Sequence, residues 1–212
     1  MKFYAKSPGP TNLATKPRYS RKIVKRKKGT TTLPTVGPQG ICLGSLNVDG
    51  QRNKIPELGT ILRQRFISPG VKVPDVLAIS ETHETRVDEY KLATHFWIGK
   101  PSLSTGNLGH AGVGFWISNK LKPACTVAPD FLTPHKDILW IQVITNGCTY
   151  YIASLYSRPG NGNLENHKSI LATLKENLTQ LRGLGLCIIM GDFNSDPRKK
   201  NATNAMRSIP EN

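Results

Sequence analysis

The strongest constraint on this chain is a set of short apolar runs, each of which ends in polar residues. Apolar runs of five or six residues that are bounded by turn residues predict buried strands. Open α/β sheets place their chemistry at the carboxyl ends of their strands, so we expect the polar residues to meet at one edge. The runs and the residues that follow them are 41–46 with Asn47, 76–80 with Glu81, and 186–190 with Asp192 and Asn194.

These polar residues suggest a particular kind of site. Carboxylate and amide oxygens are the ligands that hard cations such as Mg²⁺ prefer, and such cations commonly accompany phosphate. Each residue taken alone has a plainer interpretation. Asn47 and Asp49 fit a turn before Gly50, and Asp192 fits the cap of a following turn. The agreement among several strand ends therefore carries the prediction.

Hydrophobic periodicity along the rest of the chain predicts alternating strands and helices. The pair Asn146-Gly147 separates two strand-like runs and is a strong hairpin signal, because both residues tolerate positive φ. We therefore predict a layered α/β sandwich. The predicted strands are 41–46, 75–80, 96–99, 112–118, 124–127, 138–144, 149–157 and 186–190, and the predicted helices are 55–66, 164–181 and a short one near 202–208.

Cysteine and histidine spacing gives no metal or disulfide signature. The four cysteines show no C-x-x-C pair, and Cys42 and Cys187 lie inside apolar runs, where a buried free thiol is expected. The five histidines have no spacing that implies a metal site, and we expect most of them on the surface or in loops. No apolar run approaches the 18 residues of a membrane helix, so we expect no membrane partner.

The positive charge is concentrated at the amino end. Residues 1–38 contain ten of the 29 Lys and Arg residues and no Asp or Glu. We expect a disordered basic arm over 1–38 and a folded domain over 39–212. The arm has four interpretations: a solvated tail, a polyanion-binding segment, a nuclear-import address, or, ranked lower, a transit peptide. We predict an intracellular protein, nuclear rather than mitochondrial and not secreted. The candidate phosphate-binding residues of the arm are Arg21, Lys22, Lys25, Arg26, Lys27 and Lys28.

Five motifs in order resemble the endonuclease/exonuclease/phosphatase superfamily, the deoxyribonuclease I-like group. They are Leu46-Asn47-Val48-Asp49-Gly50, Ser80-Glu81-Thr82-His83, Ala111-Gly112-Val113-Gly114-Phe115, Leu155-Tyr156-Ser157-Arg158-Pro159 and Gly191-Asp192-Phe193-Asn194. Each motif alone is weak, but all five follow strand-like runs in the family's order. Their style is closest to apurinic-site endonucleases and to the endonuclease domains of LINE-type retrotransposons.

The resemblance implies a metal-dependent phosphodiester hydrolase. It implies Mg²⁺ or Mn²⁺ as the cofactor, which would act as a Lewis acid on the phosphate. It also implies nucleic acid as the partner, with DNA favoured over RNA. The implied roles are metal binding for Glu81 and Asn47, activation of the attacking water for Asp192, hydrogen bonding to the phosphate for Asn194 and Tyr156, and a phosphate clamp for Arg158.

The resemblance stops after the Asp192 strand. The family continues to a Ser-Asp-His motif whose His is the general base, whereas the last histidine here is His167. A general base commonly contributes about 10²–10⁴-fold, so we expect weak activity or none from a C-terminally incomplete domain. The chain could be a truncated, retrotransposon-like fragment, a non-catalytic protein that binds nucleic acid or a ribonucleoprotein, or one part of a site completed by another chain. We favour the fragment.

Overall fold

A computed structural model describes residues 40–67, 72–85, 90–101, 111–159 and 164–194, all of which belong to one unit, Leu33–Asn212. The predicted arm over 1–38 and the predicted helix near 202–208 lie outside the described residues. Within the described part, no helix is long and apolar enough to cross a membrane.

The first sheet contains four strands in the order β1-β2-β4-β3. The strands β1 and β2 are parallel, whereas β4 runs antiparallel to both β2 and β3. The parallel register pairs Asn47 with Ser80, so the chain leaves β1 and β2 at the same edge of the sheet. The strands are β1 Leu43–Asn47, β2 Val76–Ser80, β3 His95–Lys100 and β4 Val113–Ser118.

The second sheet has the order β5-β6-β7-β8. Its first three strands are antiparallel, and β7 and β8 are parallel with Tyr156 opposite Asp192. Asn146 and Gly147 both have positive φ, 51° and 74°, in the turn between β6 and β7, as that hairpin signal predicts. The strands are β5 Cys125–Val127, β6 Ile138–Thr145, β7 Cys148–Tyr156 and β8 Leu186–Asp192.

Two helices cover the outer faces of the sheets. Helix α1, Ile55–Ile67, buries Leu58 and Leu62 against the first sheet. Helix α2, Leu164–Leu181, buries one apolar stripe against the second sheet. The spacing of four, four and three residues along that stripe follows the helical repeat, which explains why the sequence predicted it. The stripe consists of Ile170, Leu174, Leu178 and Leu181.

The central core lies between the two sheets. Alternate residues of β2 and β4, including Val76 and Phe115, face Ile141 and Ile152 of the second sheet. One buried polar contact also joins the sheets, because Oγ of Ser154 donates a hydrogen bond to the Ile79 carbonyl at 3.0 Å. The layers are therefore helix, sheet, sheet and helix, which confirms the predicted α/β sandwich.

The predicted strands and the two long helices are present within a few residues of their expected bounds. The sequence did not predict the two 3₁₀ helices Arg52–Lys54 and Asn119–Ala124, because such short turns have no hydrophobic period. The prediction for Cys42 and Cys187 was too strong. All four thiols are free, as expected, but these two are only half buried. Cys187 lies on β8, which pairs on one side only among the described strands.

Candidate metal and phosphate site

Four strand ends bring the predicted site residues together at one edge of the sandwich. Asn47 ends β1 and Glu81 follows β2, while Tyr156 ends β7 and Asp192 ends β8. Both strand pairs are parallel and in register at these ends. The side chains therefore come from both sheets, and the site lies across the gap between them.

The amide of Asn47 links the two sheets. Its Nδ2 donates hydrogen bonds to Oε1 of Glu81 at 2.7 Å and to Oδ2 of Asp192 at 2.9 Å. Its Oδ1 accepts a hydrogen bond from the backbone N–H of Asp49 at 3.2 Å. An amide nitrogen has no free lone pair for a cation, so in this geometry Asn47 orients two carboxylates. Its role as a metal ligand stays a prediction.

The loop after β8 is fixed by hydrogen bonds. Oδ1 of Asp192 accepts the backbone N–H of Asn194 at 2.9 Å, which closes an Asx-type turn. Nδ2 of Asn194 donates to the carbonyl of Ser157 at 2.8 Å, and the N–H of Ser157 donates to the carbonyl of Asp192 at 2.8 Å. Asn194 is therefore tied to the end of β7. Its predicted bond to a phosphate oxygen stays a prediction.

Gly191 is a backbone requirement of this edge. Its φ is +126°, and a Cβ built on it would lie 2.0 Å from the carbonyl oxygen of Leu155. Only glycine avoids both problems. The close approach of β8 to β7 at Gly191 sets the position of Asp192, one residue further on.

Tyr156 presents its phenol to the carboxylates. Burial, a hydrogen bond to Glu81 and the negative charges of Glu81 and Asp192 raise the pKa of Tyr156 well above its usual range. The positive charge of Arg158 works in the opposite direction and lowers the pKa. The phenol therefore stays protonated at neutral pH and is a hydrogen-bond donor there.

A group of three potential metal ligands lies at the same edge. Nε2 of His83 is 3.5 Å from Oε2 of Glu81 and 3.9 Å from Oδ1 of Asp49. One ligand atom from each residue falls within a mutual distance of 4.8 Å. Spacings between histidines did not identify His83 as a candidate ligand. The available signal was its position two residues after Glu81.

Strained backbone conformations cluster in these loops. The φ values are +43° at Asp49, +54° at Glu81 and +53° at His83, a region that non-glycine residues rarely adopt. Long-range hydrogen bonds hold the conformations, including the N–H of His83 to the Ala111 carbonyl and the N–H of Gly50 to the Glu81 carbonyl, both at 2.8 Å. Such strain is commonly found at functional sites.

The remaining predicted site residues lie in the amino-terminal arm. They are Arg21, Lys22, Lys25, Arg26, Lys27 and Lys28, all of which fall outside the described residues. The electrostatic prediction for the arm therefore rests on its sequence alone.

Residues 44–205 match the model of the endonuclease/exonuclease/phosphatase family, which covers well over half of the chain. The chain belongs to this family. Members generally depend on a divalent metal, and the group of Asp49, Glu81 and His83 offers a donor set of two carboxylates and one imidazole that a divalent cation could use. Among curated proteins, no sequence matches the chain significantly.

Solved structures support the same fold. An AP endonuclease from Leishmania major is 18% identical, with a TM-score of 0.55 over 73% of this chain and 55% of that protein. The endonuclease domain of a telomere-specific non-LTR retrotransposon is 15% identical, with a TM-score of 0.52 over 77% and 68%. A 3′ phosphatase from Neisseria, solved with a product DNA hairpin, is 15% identical, with a TM-score of 0.50 over 76% and 60%. The chain thus spans little more than half of the first of these proteins.

Proposed function

We propose that this chain is a divalent-metal-dependent phosphodiester hydrolase domain that acts on nucleic acid, with DNA preferred over RNA. One observation carries the proposal. The amide of Asn47 holds the carboxylates of Glu81 and Asp192 together from opposite sheets, at 2.7 and 2.9 Å. Two carboxylates bound to the same amide nitrogen repel each other, and a divalent cation, which also binds phosphate, is the natural counterpart of such a pair. The neighbours that act on AP sites or bind a DNA hairpin support nucleic acid as the substrate class.

In this proposal, Glu81 holds the metal together with Asn47 or Asp49. The bound cation would neutralise the phosphate and stabilise the leaving oxygen. Asp192 orients the attacking water, because its carboxylate is already aligned by Asn47 and by the backbone of Asn194. The protonated phenol of Tyr156 is hydrogen-bonded to Glu81, and once a cation holds Glu81 its single O–H would turn to a non-bridging phosphate oxygen, where negative charge builds up.

We also propose that turnover by these 212 residues is slow. They contain no Ser-Asp-His sequence, so the carboxylate of Asp192 is the candidate proton acceptor. A carboxylate is in general a weaker base than an imidazole. The proton transfer from water is therefore the step that we expect to limit the rate.

A plasmid-nicking assay tests the proposal. We expect slow conversion of supercoiled to nicked DNA with Mg²⁺ or Mn²⁺, none with a chelator, and none with Glu81→Gln or Asp192→Asn. The matched control is Glu165→Gln, which removes an exposed carboxylate of helix α2 that forms an ion pair with Lys168. Cleavage that persists in the chelator or in Glu81→Gln would refute the assignment.

A second candidate function is nucleic-acid binding without cleavage, because residues 1–38 carry ten basic and no acidic residues. Deleting the arm should then weaken DNA binding and flatten its salt dependence, by about 0.9 in log–log slope for each phosphate that the arm neutralises. Binding that is salt-sensitive and indifferent to Glu81→Gln, with no nicking, would favour this function. An unchanged slope would instead leave the arm with a targeting role, for which we propose nuclear import.

A further inference from the structure

We infer that His83 is a nitrogen ligand of the bound cation and gives the site a preference for first-row transition-metal ions over Mg²⁺. The inference rests on the proposed function, since it concerns the same metal site. It adds a third residue, His83, and a selectivity that neither the motifs nor the family comparison assigns.

The geometry fits a single ion between three side chains. With metal–ligand bonds of about 2.1 Å, neighbouring ligand atoms of an octahedral ion lie roughly 3 Å apart. Nε2 of His83 lies 3.5 Å from Oε2 of Glu81 and 3.9 Å from Oδ1 of Asp49. All three ligand atoms lie within 4.8 Å of one another, so side-chain movements of about 1–2 Å would bring them onto one cation.

The backbone of His83 is held by a hydrogen bond, and its ring lies between Gly50 and the two carboxylates. The backbone N–H of His83 is bonded to the Ala111 carbonyl, and the ring edge carrying Nδ1 lies beside Gly50, where an added Cβ would be 3.6 Å away. The other ring nitrogen, Nε2, then faces Glu81 and Asp49. The side chain of Asp49 is 87% exposed and that of His83 is 28% exposed, so an ion from solution can reach both.

The chemistry of the donor set determines the selectivity. Mg²⁺ takes oxygen ligands and gains little from an imidazole nitrogen. First-row transition metals bind imidazole well, and their affinity rises from Mn²⁺ towards Co²⁺ and Ni²⁺. A site of two carboxylates and one imidazole should therefore rank Co²⁺ above Mn²⁺ and both above Mg²⁺.

The test is metal binding by the full chain, prepared without a histidine tag. Isothermal titration with Mg²⁺, Mn²⁺ and Co²⁺ gives the affinities, and the visible absorption of bound Co²⁺ reports nitrogen ligation. We expect Co²⁺ to bind at least about tenfold more tightly than Mg²⁺. In His83→Ala, Co²⁺ affinity should fall at least about tenfold and Mg²⁺ affinity less than about threefold. His83→Gln keeps a polar side chain at this position. Its Mg²⁺ affinity should equal that of the unmodified chain, but its preference for Co²⁺ should be as low as that of His83→Ala.

The matched control is His135→Ala, which removes a half-buried histidine whose ring bonds Ser169 and the backbone of Asp137. It should leave all three affinities unchanged, and circular dichroism should show native spectra for every variant. Equal affinities for the three ions, unchanged in His83→Ala, would overturn the inference and leave the proposed function intact. Tighter Mg²⁺ binding by His83→Ala would also overturn it, because His83 would then be a competing cation. A chain that binds none of the ions would refute both this inference and the proposed metal dependence.

Discussion

The two ends of the first sheet both carry a carboxylate beside a histidine, but they differ in the charges that surround the carboxylates. At the amino end of β2, Oδ1 of Asp75 lies 2.6 Å from Nζ of Lys120, and its Oδ2 accepts the N–H of Cys42 at 3.0 Å. Nearby, the ring nitrogens of His95 lie 2.8 Å from the Thr94 hydroxyl and 3.0 Å from the Pro74 carbonyl. At the carboxyl end, His83 approaches its two carboxylates no closer than 3.5 Å.

The difference separates a structural cluster from a candidate binding site. Asp75 and His95 are buried, and each lies at hydrogen-bonding distance from protein partners. They border a cavity of about 420 Å³, but their polar atoms already have partners. At the other end, Asp49 and Glu81 bring like charges together with Asp192, so an added cation would lower the energy. Composition alone does not distinguish the two clusters.

The largest expected effect comes from distorting the backbone of β8 next to Asp192. Gly191→Ala should lower the free energy of unfolding by about 2–6 kcal/mol, because the new Cβ meets the Leu155 carbonyl at a φ that alanine avoids. Urea denaturation measures the change. Gly147→Ala is the control: it also has positive φ, but no atom lies within 4 Å of the added Cβ, so it should cost about 1 kcal/mol. Equal costs would show that the approach to Leu155 is not restrictive.

Isosteric removal of one charge at each end tests the comparison directly. Asp75→Asn should cost about 1–3 kcal/mol of stability, because it breaks a close ion pair with Lys120 and faces an amide group towards the N–H of Cys42. Glu81→Gln should change stability by less than about 0.5 kcal/mol, or increase it, because it relieves repulsion with Asp192. Cation binding should show the reverse pattern. A large loss of stability in Glu81→Gln would make both clusters structural.

Removing the hydroxyl of Tyr156 tests whether this side chain takes part in cleavage. Tyr156→Phe should slow metal-dependent nicking by about tenfold, the contribution of one hydrogen bond, with little change in cation affinity. Tyr151→Phe is the control, because its hydroxyl accepts a bond from Gln142 on the second sheet. If the two variants nick DNA at the same rate, Tyr156 does not touch the phosphate.

The smallest effect is a pH dependence at the amino end. Burial lowers the pKa of His95 below its ordinary value of 6.5, so the unfolded chain binds a proton there before the folded chain does. Stability should therefore fall as the pH drops through about 6.5, until the lowered folded pKa is reached. His95→Gln should reduce the loss of Tm between about pH 7.5 and about pH 5.5. His135 also has a lowered pKa, so part of the dependence should persist. An undiminished loss in His95→Gln would contradict the assignment.

Much of the fold could be predicted from local patterns. The apolar runs predicted the strands, the four-residue spacing of Ile170, Leu174 and Leu178 predicted helix α2, and Asn146-Gly147 predicted the hairpin. These signals are local, since strand and helix periods are set by the chain's own geometry. The polar residues after the strands could be predicted to converge because parallel strands end at one edge.

The details of the site could not be predicted in the same way. The bond from Asn47 to Asp192 spans 145 residues and depends on how the two sheets pack. The grouping of His83 with Asp49 depends on positive φ values that are imposed by bonds to Ala111 and Glu81, which no local pattern encodes. The spacing of the histidines does not distinguish His83 from His95 either, and only the position of His83 two residues after Glu81 sets it apart.

The sequence by itself determined the strands and helices, the family motifs, the residues available for metal and phosphate chemistry, and the charge of the amino-terminal arm. These properties follow from residue type and short-range periodicity. Only the tertiary structure decided that Asn47 orients two carboxylates across the gap between the sheets, that Asp75 and His95 are already satisfied, and that His83 joins Asp49 and Glu81. The physical reason is that side-chain partners are chosen by sheet register and loop conformation, both of which are set by interactions between residues far apart in the chain.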